Sequence, residues 1–135
     1  MVTMKKIYLI NFSLMEKIAD KKNGITTENA AAFITGVELF FIYLMIEFVI
    51  MKFLPFKLKG FIVYGAMAVI WYYTHYSLRK SLTKKITSLG IRKTYKELSR
   101  SKQKSYLILS ILIFFAVFFI FLATGALTIY NYNKR

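Results

Sequence analysis

No cysteine occurs in the 135 residues, so disulfides, thiol catalysis and thiolate metal sites are excluded. Histidine occurs once, at His75, and one imidazole without a second ligand type near it in sequence is a poor metal site. Acids are scarce: six, against 20 Lys and Arg. Glu28, Glu38, Glu47 and Glu97 stand isolated, so the carboxylate cluster that would hold magnesium and a nucleotide is missing. No metal, no cofactor and no catalytic residue are therefore expected, and the chain reads as a non-enzyme.

What is abundant is apolar surface. The chain is 57% hydrophobic and 18% aromatic, yet carries a formal charge of +14. The charges fall in blocks between long uncharged runs, the pattern of membrane spans separated by basic connections. The expected fold is an all-α integral membrane protein, a single membrane domain over 1–135. It has three transmembrane helices, an N-terminal amphipathic interfacial helix and a basic amphipathic cytoplasmic loop. Residues 5–22 place Ile7, Ile10, Leu14 and Ile18 at helical spacing with lysines at both ends. Such a helix lies in the headgroup plane or packs on the cytoplasmic end of the bundle, and Asn23-Gly24 is a good stop. Asn11 and Ser13 interrupt its apolar run, so it reads as a retained segment rather than a cleaved signal peptide.

Thr26-Thr27-Glu28-Asn29 supplies helix-capping chemistry before the first span, 29–53, which Pro55 ends. The second span covers 60–78 and the third 105–130, neither with a formal charge. Three spans put the N-terminal segment and the 79–104 loop on one side, with fifteen Lys and Arg; the other side has five. The positive-inside rule then predicts a bacterial-type inner membrane, the N-terminus cytoplasmic and Lys134-Arg135 outside.

Glu38 and Glu47 sit inside the first span, nine residues apart. That spacing is about 180° around a helix and ~13 Å along it. Two opposed carboxylates require two faces hidden from lipid, so a homo-oligomer or a partner membrane subunit is expected. Matching depths along an antiparallel hairpin sets Glu47 near Tyr64, Gly65 and Thr124. The same matching sets Glu38 near Trp71 and Tyr72, with His75 about a turn away. Pore-lining or intramembrane polar candidates are therefore Glu38, Glu47, Tyr64, Tyr72, His75 and Thr124. Gly65, Ala66 and Ala68 form a small-residue patch for helix packing; Ala123, Gly125 and Ala126 form another at the end of the phenylalanine-rich third span.

The 79–104 loop has ten Lys and Arg against one acid, Glu97. Leu82, Ile86 and Leu89, then Ile91, Tyr95 and Leu98, repeat at helical spacing on either side of Gly90, predicting two short amphipathic helices resting on the membrane. Lys84, Lys85, Arg92, Lys93 and Lys96 are the expected contacts for anionic lipid headgroups, or for a nucleotide or nucleic acid. In layout alone the chain resembles bacterial diacylglycerol kinases, but it lacks their clustered carboxylates and no phosphotransfer site is expected. The function expected is an ion-conducting or pore-type oligomer; the alternative is a non-conducting accessory subunit of a larger membrane complex, and a small membrane enzyme or proton-coupled transporter ranks below both.

Overall fold

The computed structural model describes residues 2–18, 25–53 and 60–133. Asn23-Gly24, Pro55 with the rest of 54–59, and Lys134-Arg135 lie outside the described residues. Among the described residues the fold is all-helical. In chain order the elements are α1 (Val2–Ile18), α2 (Thr27–Phe53), α3 (Gly60–Tyr72), a π-helical segment (Tyr73–Leu78), α4 (Arg79–Ser88), α5 (Ile91–Glu97) and α6 (Arg100–Asn133).

Local chemistry sets the helix starts. The Thr26 hydroxyl accepts from the Asn29 amide at 3.2 Å, and its carbonyl accepts from Ala30 at 3.0 Å, opening α2. Ser99 does the same for α6, accepting from the Lys102 amide on its side chain and from Gln103 on its carbonyl. The third apolar run therefore becomes helical five residues earlier than hydropathy implies, taking in Arg100, Lys102 and Lys104. Gly90 adopts φ 61°, a left-handed turn that favours glycine, and it parts α4 from α5.

Among the described residues two helices are long and apolar enough to cross a membrane: Thr27–Met51, mean hydropathy 2.1, and Arg100–Thr128, mean hydropathy 3.0. The stretch 60–78 differs from them because its α-helix gives way to the wider π turn at Tyr73. Backbone angles stay right-handed helical at both joins, Tyr72 and Arg79. Within the turn the Thr74 hydroxyl donates to the carbonyls of Ile70 at 2.8 Å and Trp71 at 3.1 Å. Such back-bonding competes with the regular ladder and bends helices.

The core gathers at the basic end of the molecule. It joins Tyr8, Leu9, Phe12 and Met15 of α1, Ala30 to Ala32 and Ile34 of α2, Leu82 and Ile86 of α4, and Ile91 and Tyr95 of α5. The apolar stripes of α4 and α5 thus face protein rather than an open membrane surface. On α1 the expected stripe is buried only at its middle: Ile10 is sealed and Leu14 is half-buried against the core, while Ile7 and Ile18 are exposed and the sealed face extends to Asn11, Phe12 and Ser13. Glu16 meets Thr27 and Asn11 meets Thr35 and Glu38, so α1 runs antiparallel to α2 with its start directed along the apolar part of the bundle. By helix rise, Lys5 and Lys6 lie roughly 8 Å beyond Asn11 in that direction. A helix lying in the headgroup plane is incompatible with this burial between α2, α5 and α6.

Farther along, α2 and α6 hold together through rings. Phe41 and Phe121 stack at 4.9 Å, Phe41 meets Phe118 edge-on at 5.7 Å, and Phe48 stacks on Phe121 at 5.9 Å. Of the small residues expected to pack closely, Gly125 is buried but Ala123 and Ala126 are exposed. A Cβ at Gly125 would stand 3.2 Å from the Phe48 ring. Gly125→Leu is therefore expected to wedge α6 off Phe48 and cost about 1–3 kcal/mol, the range for overpacking. Ala126→Leu, on the open side, is expected to leave thermal denaturation in detergent unchanged; equal losses in both would contradict the Phe48 contact.

Candidate functional site

Two constellations outside the packed rings carry polar chemistry. The first is centred on Asn11. Its amide nitrogen donates to Glu38 Oε2 at 2.8 Å and to Thr35 Oγ1 at 3.0 Å. Its carbonyl oxygen accepts from the Ser110 hydroxyl at 3.1 Å. The Thr35 hydroxyl in turn donates to the Ala31 carbonyl at 2.8 Å. One side chain thereby ties α1 to α2 and α6, and every member is buried, with Glu38 only 6% exposed. Both amide donors are used, so the rotation of α1 is fixed. Glu38 Oε1 has no hydrogen-bond partner, and among the described residues no cation pairs with this carboxylate.

Depth matching places Glu38 at the right level but assigns it the wrong face. Phe40 meets Trp71 at 5.0 Å and Phe33 meets His75 at 5.5 Å, so that side of α2 looks at α3 and the π segment. Glu38 points the other way, at α1. The expected partners are elsewhere: Tyr64 and Tyr72 are largely exposed, and Thr124 donates to the Ile120 carbonyl. His75 stacks on Trp71 at 5.2 Å. No hydrogen bond joins any of these four to either glutamate. Glu47 has one sheltered oxygen, Oε2, without a partner. The face Glu38 shares is closed over Ala31, Ile34 and Thr35 and open at Ile42 and Val49.

The second constellation is basic and lies at the core end. One groove of about 620 Å³ is lined by Arg92, Lys93 and Lys96 together with Glu28 and Glu97. Arg92 is already engaged there: its Nε and Nη2 each donate to a Glu28 oxygen at 2.7 Å. That pairing holds the guanidinium above its ordinary value. Lys84 belongs to a separate groove of about 770 Å³, alongside Arg79 and Lys80, and Lys85 lines neither groove. The five expected anion contacts are thus divided rather than gathered.

Sequence reasoning missed Asn11, Thr35 and Ser110 as a unit, and the grouping of Arg79 and Lys80 with Lys84 in one groove. A signal for the first was present, since Asn11 and Ser13 break an apolar run that otherwise tolerates no amide. No protein family matches the chain, and neither does any characterised protein or solved structure.

The knot generates a contrast between two substitutions. Asn11→Leu leaves Glu38, Thr35 and Ser110 without their shared partner and is expected to lower stability by about 1–3 kcal/mol. Glu38→Gln keeps an acceptor for the Asn11 amide and is expected to stay within about 1 kcal/mol of the parent. Thermal unfolding in detergent checks both; a larger loss for Glu38→Gln would show that charge at Glu38, not its hydrogen bond, sustains the knot.

Proposed function

We propose that this chain is a non-enzymatic, three-span membrane protein that works as a self-associating subunit, with α3 and its π turn serving as the middle span. The observation that carries this reading is the open face of α3. Ile62, Tyr64, Val69 and Tyr72 are exposed, and nothing stands within 4 Å of a Cβ at Gly65. Gly65 and the neighbouring Ala66 and Ala68 would let the α3 of a second copy approach closely. The basic residues support a bacterial-type inner membrane with the core end in the cytoplasm and the C-terminus outside. Moving Lys5 and Lys6 along the bundle does not reverse the bias, because Lys17, Lys21, Lys22 and the ten of 79–104 still exceed the five on the other side.

Self-association no longer needs Glu38, whose face is covered by the chain's own α1. A non-conducting assembly role is therefore favoured over conduction through that carboxylate. Conduction keeps one foothold, Glu47, whose unpartnered Oε2 is the kind of intramembrane acid that serves ion paths.

In mild detergent or nanodiscs the protein is expected to run as a homo-oligomer, and Gly65→Leu to run as a folded monomer, since the added side chain has room within one chain. A monomeric parent would sink the proposal. Purified protein in liposomes is expected to be electrically silent; currents that Glu47→Gln abolishes would replace the assembly role with the conducting one.

A further inference from the structure

Two basic grooves among the described residues have no acid in their lining: a small one of about 290 Å³ at Lys17, Arg100 and Lys104, and a larger one at the junction of α2, the π segment and α4. Arg79, Lys80 and Lys84 line the larger one, and none of the three pairs with a carboxylate among the described residues. The groove at Arg92 instead carries Glu28 and Glu97 within its wall and binds its arginine internally.

Arg79 is held in place before any ligand arrives. Its Nε donates to Asn29 Oδ1 at 2.8 Å, and its guanidinium lies 5.4 Å from the centre of the Phe33 ring. Among the described residues its terminal nitrogens have no hydrogen-bond partner, and a guanidinium fixed by one edge presents a fork suited to two anionic oxygens. Nearby hydroxyls contribute less, because Thr83 and Thr87 donate back to the carbonyls of Arg79 and Thr83. Charge from the three cations, rather than hydroxyl contacts, therefore sets what the groove takes.

The position of the groove names the source. On one side lies the apolar α3, on the other the basic α4, and exposed Tyr72, Tyr73 and Tyr76 ring the junction. Aromatic belts of this kind mark the headgroup level of a bilayer. We propose that this groove binds the phosphate of an anionic membrane phospholipid, with the acyl chains lying against the exposed apolar surface beside it. The inference rests on the three-span reading for the level of the groove, but not on self-association.

Trp71, the only tryptophan, stacks on His75 of the groove wall and reports on it directly. The test uses the full chain in liposomes containing brominated phosphatidylglycerol or brominated phosphatidylcholine, with quenching of Trp71 as readout. The parent is expected to prefer the anionic lipid. K80Q/K84Q is expected to lose about fivefold of that preference for each lysine, while K93Q/K96Q, in the compensated groove, keeps it. Equal quenching by both lipids would overturn the assignment, as would a preference that falls only in K93Q/K96Q. A preference abolished by millimolar inorganic phosphate would assign the groove to a soluble phosphate and overturn the lipid. Absence of quenching by either lipid would overturn the span placement of α3 together with the lipid, an outcome distinct from the others.

Discussion

An amide cannot sit in an apolar bundle without partners, and this structure is organised around meeting that demand for Asn11. An unpaired buried polar group costs about 1–3 kcal/mol, so the apolar contacts of α1 alone do not select one rotation as sharply as the amide does. Meeting it requires Thr35 and Glu38 from α2 and Ser110 from α6 to converge on one point. The convergence fixes the faces of three helices at once. Tyr8, Phe12 and Met15 then fall against α2 and α5, and Phe12 reaches the Tyr95 ring at 5.4 Å. Ser13 extends the same seam, donating to the Gln103 carbonyl at 2.9 Å.

The molecule divides energetically as well as chemically. At the basic end, α4 and α5 fold back so that Leu82, Ile86, Ile91 and Tyr95 complete a core with α1 and α2. Burial there removes apolar surface from water, the dominant favourable term for a soluble core. Toward the other end, α2 and α6 meet through phenylalanine rings while Phe115, Phe119 and Ile120 look outward. In a bilayer, where lipid solvates such side chains as well as protein does, ring packing and close backbone approach, not exclusion from water, would hold those helices. The exposed Glu28–Arg92 pair closes α5 onto the start of α2 and adds little by itself, since solvated ion pairs contribute about 0–1 kcal/mol.

Much of the helical layout was legible because it depends on local pattern. Thr26 and Gly90 act within a turn of their own positions, and long uncharged runs mark apolar helices whatever their neighbours. What could not be read is azimuth. A depth match along the hairpin brings Glu38 level with Trp71, but level says nothing of which side of the helix meets which neighbour. That is decided by α1, whose partners lie in distant parts of the chain. The same reason hid how far the buried face of α1 extends: Ile10 and Leu14 of the helical stripe do pack inward, yet Ile7 and Ile18 at its ends are exposed while Asn11, Phe12 and Ser13 are sealed. The π segment was invisible too: Thr74 back-bonds to nearby carbonyls there, but Thr35, Thr83 and Thr124 do the same in regular α-helix, so no residue type marks it in the sequence. Among the basic residues, counting charge could not show that Arg92 is neutralised by Glu28 while Arg79 is only positioned by Asn29.

The seam between α1 and α6 spans most of the polypeptide: Asn11 and Ser110 are 99 residues apart, Ser13 and Gln103 are 90. Synthesis runs from the N-terminus, so α1 and α2 are both made before the α6 wall that closes over them. Until Ser110 is made, the Asn11 amide can reach Thr35 and Glu38 of α2 but lacks the hydroxyl that completes its set. The seam is consequently built in two stages, the α2 half early and the α6 half only once the far helix exists.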